Sequence, residues 1–90
     1  MKNIDELKAL LITSFPQEKI YLFGSRARGT ASPYSDYDIA IEGEASLKQR
    51  ISLIQAEIEE STIPYKIDLV ELSKAPYLRE VVQEEGILWH

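Results

Sequence analysis

The stretch Gly24-Ser25-Arg26-Ala27-Arg28-Gly29-Thr30-Ala31-Ser32-Pro33-Tyr34-Ser35-Asp36-Tyr37-Asp38 starts where one apolar run, Ile20-Tyr21-Leu22-Phe23, stops. It ends inside a second run, Tyr37-Asp38-Ile39-Ala40-Ile41. The pattern reads as a strand, a phosphate-sized turn, then a strand carrying two carboxylates. Strand side chains alternate between faces, so Asp36 and Asp38 project from one side, roughly 7 Å apart along the chain. Tyr37, Ile39 and Ile41 then point the other way, toward a core. Two carboxylates on one face repel each other, and neither gains by burial. A divalent cation relieves that conflict. Mg²⁺ suits such hard oxygen ligands and completes its shell with water and substrate phosphate. The turn supplies the other half of a site. Gly24 permits an unusual backbone angle and close approach of a ligand. Backbone N–H groups in such a turn form an anion-binding concavity, and Ser25 can add a hydroxyl.

Length and composition narrow the setting. Ninety residues predict one domain spanning 1–90, burying roughly 60–70% of the unfolded chain's surface. The chain is 44% apolar and 28% charged, as in ordinary soluble globular proteins. It has no cysteine and one histidine, His90, so disulfides, thiolate zinc sites and histidine metal sites are excluded. Any metal must be held by oxygen. The formal net charge of -5 argues against direct nucleic-acid binding, which wants a basic patch. The first residues carry acids where a secretory signal would be apolar, and no apolar run approaches the ~20 residues of a membrane span. The expected location is the cytoplasm.

Taken in order, residues 3–14 read as a helix. Asn3 caps it, Glu6 completes a capping box, and Ile4, Leu7, Leu10 and Leu11 give the period. Pro16 stops it. A strand follows at 20–23. Residues 26–31 are expected to form a short helical turn with its N-terminus toward anions. Pro33 restricts the approach to a second strand at about 36–42. Ser46 is expected to cap a helix at about 47–60, with Leu47, Ile51, Ile54 and Ile58 buried and Leu53 beside them. Lys48, Gln49, Arg50, Gln55, Glu57, Glu59 and Glu60 form its solvated face. After Pro64 comes a third strand, Tyr65 to Glu71, with Ile67 and Leu69 on one face and Lys66, Asp68 and Val70 on the other. An acid in mid-strand is costly without a partner. Asp68 joins the metal site of the other two acids or stands on an open sheet face. Pro76 starts a last helix, about 75–85, with Leu78, Val81 and Val82 inward and Gly86 as its stop. Ile87-Leu88-Trp89 adds an edge strand or packs on that helix. The result is an α/β (α+β) fold: a small mixed β-sheet with helices packed on one face and the carboxylate face open to ligand.

The lone terminal histidine excludes a Ser-His-Asp set, and no lysine follows the glycines as in a P-loop. Three carboxylates beside a phosphate-cradling turn point to phosphoryl-group chemistry. Gly24-Ser25, ten residues, then Asp36-Tyr37-Asp38 resembles the signature of the DNA polymerase beta-like nucleotidyltransferase superfamily. The fuller string GSRARGTASPYSDYDIAI is similar to that of the minimal nucleotidyltransferases of prokaryotes, the small partners of HEPN-domain proteins. The resemblance implies the polymerase beta-like fold and attack on the α-phosphate of an NTP, with ATP as substrate and Mg²⁺, two ions, as cofactor. It implies that Asp36 and Asp38 hold metal. Asp68 completes one shell and accepts the proton of the attacking hydroxyl. Gly24 and Ser25 hold the β/γ-phosphates, and Arg28, more than Arg26, neutralises charge there. Lys66 reaches a phosphate or stands on the surface, and Tyr21, Tyr34, Tyr65 and Tyr77 have no assigned role. Larger superfamily members carry a further domain that grips base or acceptor. This chain is therefore expected to complete its site with a HEPN-type toxin or a second copy of itself. AMP transfer onto a tyrosine of that toxin would make it an antitoxin. Two other readings compete: nucleotide transfer to a small molecule such as an aminoglycoside, and a non-catalytic module that neutralises its partner by contact.

Overall fold

The structure, a computed structural model, describes residues 3–30, 35–44 and 46–90. Pro33 and the last residue of the expected 26–31 turn lie outside the described residues. Helix α1 (Ile4–Ser14) begins at Asn3, whose side chain accepts from the Glu6 N–H at 2.9 Å. Strand β1 (Lys19–Phe23) leads into the one-turn helix α2 (Ser25–Arg28), and β2 (Tyr37–Glu42) into α3 (Lys48–Glu60). Strand β3 (Ile67–Glu71) is followed by two 3-10 turns, Leu72–Lys74 and Pro76–Leu78, then α4 (Arg79–Glu85) and the short β4 (Ile87–Leu88). The last helix is therefore shorter than the expected 75–85, because its first turns wind as 3-10.

The sheet runs β3-β2-β1-β4, with β1 antiparallel to both β2 and β4, and β2 parallel to β3. The expected mixed sheet is present, and its two faces follow from period-2 alternation. One face carries Ile20, Leu22, Ile39, Ile41 and Ile67. They bury against Leu7, Leu11 and Phe15 of α1, and against Leu47 and Ile58 at the two ends of α3. The expected coverage of one face holds for these two helices. It does not hold for α4. Val82 buries with Phe23, Ala40 and Leu72 on the opposite face. The reason is local: Gly86 alone separates α4 from β4, which pairs with β1. The Gly86 N–H donates to the Val82 carbonyl at 2.8 Å, and a Cβ on Gly86 would lie 2.3 Å from that oxygen. The helix is thus turned directly back over the apolar residues of that second face.

Three features of α3 differ from the pattern. Leu47, not Ser46, is the capping residue, and no side chain of its own segment caps it. Its N–H donates instead to Glu71 Oε2 from the end of β3, at 3.0 Å. Leu53 is 70% exposed and lies outside the core. Arg50 and Gln55, expected in solvent, both bridge elements. Arg50 pairs with buried Glu18 and donates to the Ser14 carbonyl. Gln55 donates to the Ile67 carbonyl at 2.7 Å and accepts from the Leu69 N–H at 3.1 Å. Strand β3 is an edge strand, and unpaired edge groups are a liability. Gln55 supplies them with a side-chain substitute for a neighbouring strand.

Replacing Gln55 with leucine should leave one carbonyl and one N–H at a part-buried edge without that partner, costing about 1–3 kcal/mol. Leu53→Gln, at an exposed position, should change stability by no more than about 0.5 kcal/mol. Urea denaturation of both variants checks the contrast, and equal effects would contradict the role given to Gln55.

Candidate active site

Register brings the acids together. The antiparallel pairing of β1 and β2 sets Phe23 opposite Asp38, and the parallel pairing of β2 and β3 sets Asp38 opposite Asp68. Paired residues on neighbouring strands share a face, with strands about 4.8 Å apart. Asp38 and Asp68 therefore stand side by side on the face of Phe23 and Ala40. They lie where β1 ends and where β2 and β3 begin. Asp36 falls just ahead of β2, which starts at Tyr37, so the expected strand at 36–42 begins one residue late. The Tyr37 N–H donates to the Lys66 carbonyl at 2.9 Å and ties the two strand entries to each other.

The turn after β1 packs on this pair. Gly24 has φ 79° and ψ -158°, a conformation that costs other residues strain. A Cβ there would also lie 2.5 Å from Asp38 Oδ2. Only glycine lets the turn approach the carboxylate so closely. The Gly24 carbonyl accepts from the N–H groups of Ala27 and Arg28, each at 3.1 Å. Gly29, at φ 76°, ends the single helical turn. One turn of helix has little macrodipole, so an anion held here would depend on the turn's own N–H groups, on Ser25 and on the charge of Arg28.

The two arginines diverge. Residues two apart on a helix point about 200° from each other. Arg28 turns toward the carboxylate face, where its guanidinium donates to Glu85 Oε1 of α4 at 2.9 Å. Arg26 turns the other way. Its guanidinium lies 4.4 Å from the centre of the Tyr37 ring and 5.3 Å from that of Tyr65, and it donates to the Ser35 carbonyl at 3.1 Å.

The electrostatics fit a cation. Burial, then the charge of Asp68, then that of Asp36, raise the Asp38 carboxyl above its ordinary value, while Arg28 and Lys66 oppose the rise. A divalent ion would remove both the repulsion and the desolvation cost. Among the described residues, no three acidic or histidine side chains form a ready-made cage. The expected three-acid ligand set is thus not gathered into a cage: Asp38 and Asp68 pair on one face, and Asp36, ahead of β2, is close enough for its charge to act on Asp38. Mg²⁺ commonly takes only one or two carboxylates and fills its shell with water and phosphate. Two grooves lie elsewhere: one between α1 and α3, lined by Leu10, Thr13 and Glu57, and one near Glu18, Glu42 and Arg79. Neither is lined by Asp36, Asp38 or Asp68, and Asp38 and Asp68 are themselves half-buried.

Two residues that the sequence does not reveal support this face. Gln55 holds the backbone on both sides of Asp68, yet helical periodicity assigns it to solvent. Glu85 fixes Arg28 from 57 positions away, and no local pattern signals so distant a pair.

The family described as polymerase beta, nucleotidyltransferase, matches residues 5–89. A probable protein adenylyltransferase MntA of Haemophilus influenzae is 33% identical over 81 residues, covering 87% of this chain and 70% of that protein. Among solved structures, a toxin-antitoxin with AMP-PNP has a TM-score of 0.72 at 27% identity, over 98% of this chain and 73% of that one. A mutant of the toxin-antitoxin MntA-HpeT has a TM-score of 0.71 at 25% identity, over the same shares. The polymerase beta-like fold implied by the signature is therefore the fold of this chain.

The raised carboxyl of Asp38 has a consequence for stability. A folded-state value above the unfolded 3.8 means that its contribution is fully present below pH 3.8 and lost as pH rises past the raised value. Asp38→Asn should therefore melt higher than the parent at pH 7, with the gap closing toward pH 3. Millimolar Mg²⁺ should raise the Tm of the parent more than that of the variant. A variant that melts lower at pH 7, or an equal Mg²⁺ response, would contradict this.

Proposed function

The chain belongs to the polymerase beta nucleotidyltransferase family, and on that premise we propose that it transfers AMP from ATP to a tyrosine hydroxyl of a HEPN-type toxin, as the antitoxin of the pair. The observation that carries the reading is the in-register pair Asp38 and Asp68 beside the Gly24 turn. The name of the Haemophilus influenzae relative and the AMP-PNP in a similar toxin-antitoxin support the choice of nucleotide and partner.

In this reading Asp36, Asp38 and Asp68 hold Mg²⁺, which when bound neutralises phosphate charge and aligns the reacting oxygens. Gly24 and Ser25 receive the β- and γ-phosphates. Arg28, steadied by Glu85, adds positive charge beside them. The tyrosine oxygen attacks the α-phosphorus. Its bond to that phosphorus forms as the bond to the β-phosphate oxygen breaks, and pyrophosphate leaves. The phenolic proton passes to a carboxylate oxygen of Asp68. Among the described residues no helix is long and apolar enough to cross a membrane, and the reading needs none.

The test is incubation with α-phosphate-labelled ATP, Mg²⁺ and host lysate, beside the double variant Asp36→Asn with Asp38→Asn. A labelled protein band from the parent, reduced about a hundredfold or more in the variant, is the expected result. Label in small molecules alone would favour the aminoglycoside-type reading. Neutralisation of a partner that survives the double substitution would favour the contact module. Equal labelling by both proteins would overturn the assignment of the two acids.

A further inference from the structure

We infer that Arg26, Tyr37 and Tyr65 form a clamp that positions the active-site acids, and that Arg26 does not contact the nucleotide. The inference rests on the nucleotidyltransferase reading above. Its geometry involves three stretches of chain. Arg26 belongs to α2, directly after Gly24 and Ser25. Its guanidinium donates to the carbonyl of Ser35, the residue before Asp36. It stacks on Tyr37, which lies between Asp36 and Asp38, and on Tyr65, three residues before Asp68. The two rings meet edge to face, with centres 5.2 Å apart and planes at 69°. One planar cation thus joins the phosphate turn to the lead-in of β2 and the lead-in of β3.

The clamp sits opposite the chemistry. Tyr37 and Tyr65 pack at the margin of the core beneath α1 and α3, on the face away from Asp38. A side chain stacked there cannot also lie over the carboxylate face. The contacts demand a guanidinium. It is flat enough to stack on aromatic faces while its edge donates, whereas an ammonium is a compact, strongly hydrated charge. Repulsion among the acids tends to spread the segments that carry them, and the clamp opposes that spreading from behind. Misplacing reacting groups by about 1 Å can cost on the order of a hundredfold in rate, so the clamp should act on turnover more than on ATP binding.

The experiment measures steady-state transfer by Arg26→Lys, Tyr65→Leu, Tyr65→Phe and the pair Arg26→Lys with Tyr65→Leu. Arg26→Lys and Tyr65→Leu should each lower kcat about tenfold while KM for ATP stays within about threefold. Tyr65→Phe keeps the ring and should stay within about twofold of the parent. The pair should fall no more than about twofold below the worse single variant, because both remove one unit. A raised KM with unchanged kcat in Arg26→Lys would overturn the inference and make Arg26 a nucleotide contact. Parent-like turnover by Tyr65→Leu would also overturn it. Amide hydrogen exchange at Tyr37, whose N–H bonds the Lys66 carbonyl, needs no activity and separates failure of the clamp from failure of the proposed function. It should speed up about tenfold or more in Arg26→Lys and Tyr65→Leu, with Leu11 in α1 unchanged. Unchanged exchange at Tyr37 overturns the clamp whether or not the parent transfers nucleotide.

Discussion

Like charge held at close range is the constraint on which this structure depends. Parallel pairing of β2 and β3 sets Asp38 directly beside Asp68, with Asp36 near the strand entry. Left alone, such an arrangement costs free energy and would relax by spreading. The fold prevents that. Gly24 presses the turn onto Asp38 with no room for a side chain. Gln55 grips the backbone on either side of Asp68. The cost stays with the free chain, and bound positive charge would offset it, as the proposed site for a metal-bound polyphosphate requires.

The division of the sheet into two faces makes this possible. The face beneath α1 and α3 carries the larger core, with Leu7, Leu11, Phe15 and Ile39 fully buried. The other face is shared. Its α4 side holds a smaller apolar cluster around Phe23 and Val82, and its remaining edge holds the acids. The link between the two parts is Arg28, which reaches Glu85 at the end of α4 while its charge acts on Asp38. Helix α4 is thus both a lid for apolar residues and a support for the cationic side of the site.

Much of this was legible in the sequence. The Gly24-to-Asp38 stretch announced a turn between two strands. Alternation turned Asp38 away from Ile39 and Asp68 away from Ile67 and Leu69, the register then set the two acids side by side, and Asn3 with Glu6 marked the first helix. The misreadings share a cause. Ser46 looked like a cap, but Glu71 takes the Leu47 N–H from 24 positions away. Gln55 and Arg50 looked solvated, but each finds its partner on another element. The side of the sheet chosen by α4 follows from a single glycine between it and a two-residue strand. Local pattern encodes which residues want burial, and it carries no information about which distant carbonyl or carboxylate a polar side chain will meet. Arg26 and Arg28 illustrate the same limit: neighbouring residues of one motif serve opposite faces.

The most direct measurement is a titration of the ¹⁵N-labelled chain with Mg²⁺–ATP, followed by amide chemical shifts and compared with ATP and chelator alone. A nucleotide site on the acid face predicts that shifts dependent on Mg²⁺ concentrate at Gly24, Ser25, Asp38 and Asp68. Shifts confined to the groove between α1 and α3 or to the groove near Glu18 and Arg79, or shifts indifferent to Mg²⁺, would contradict it.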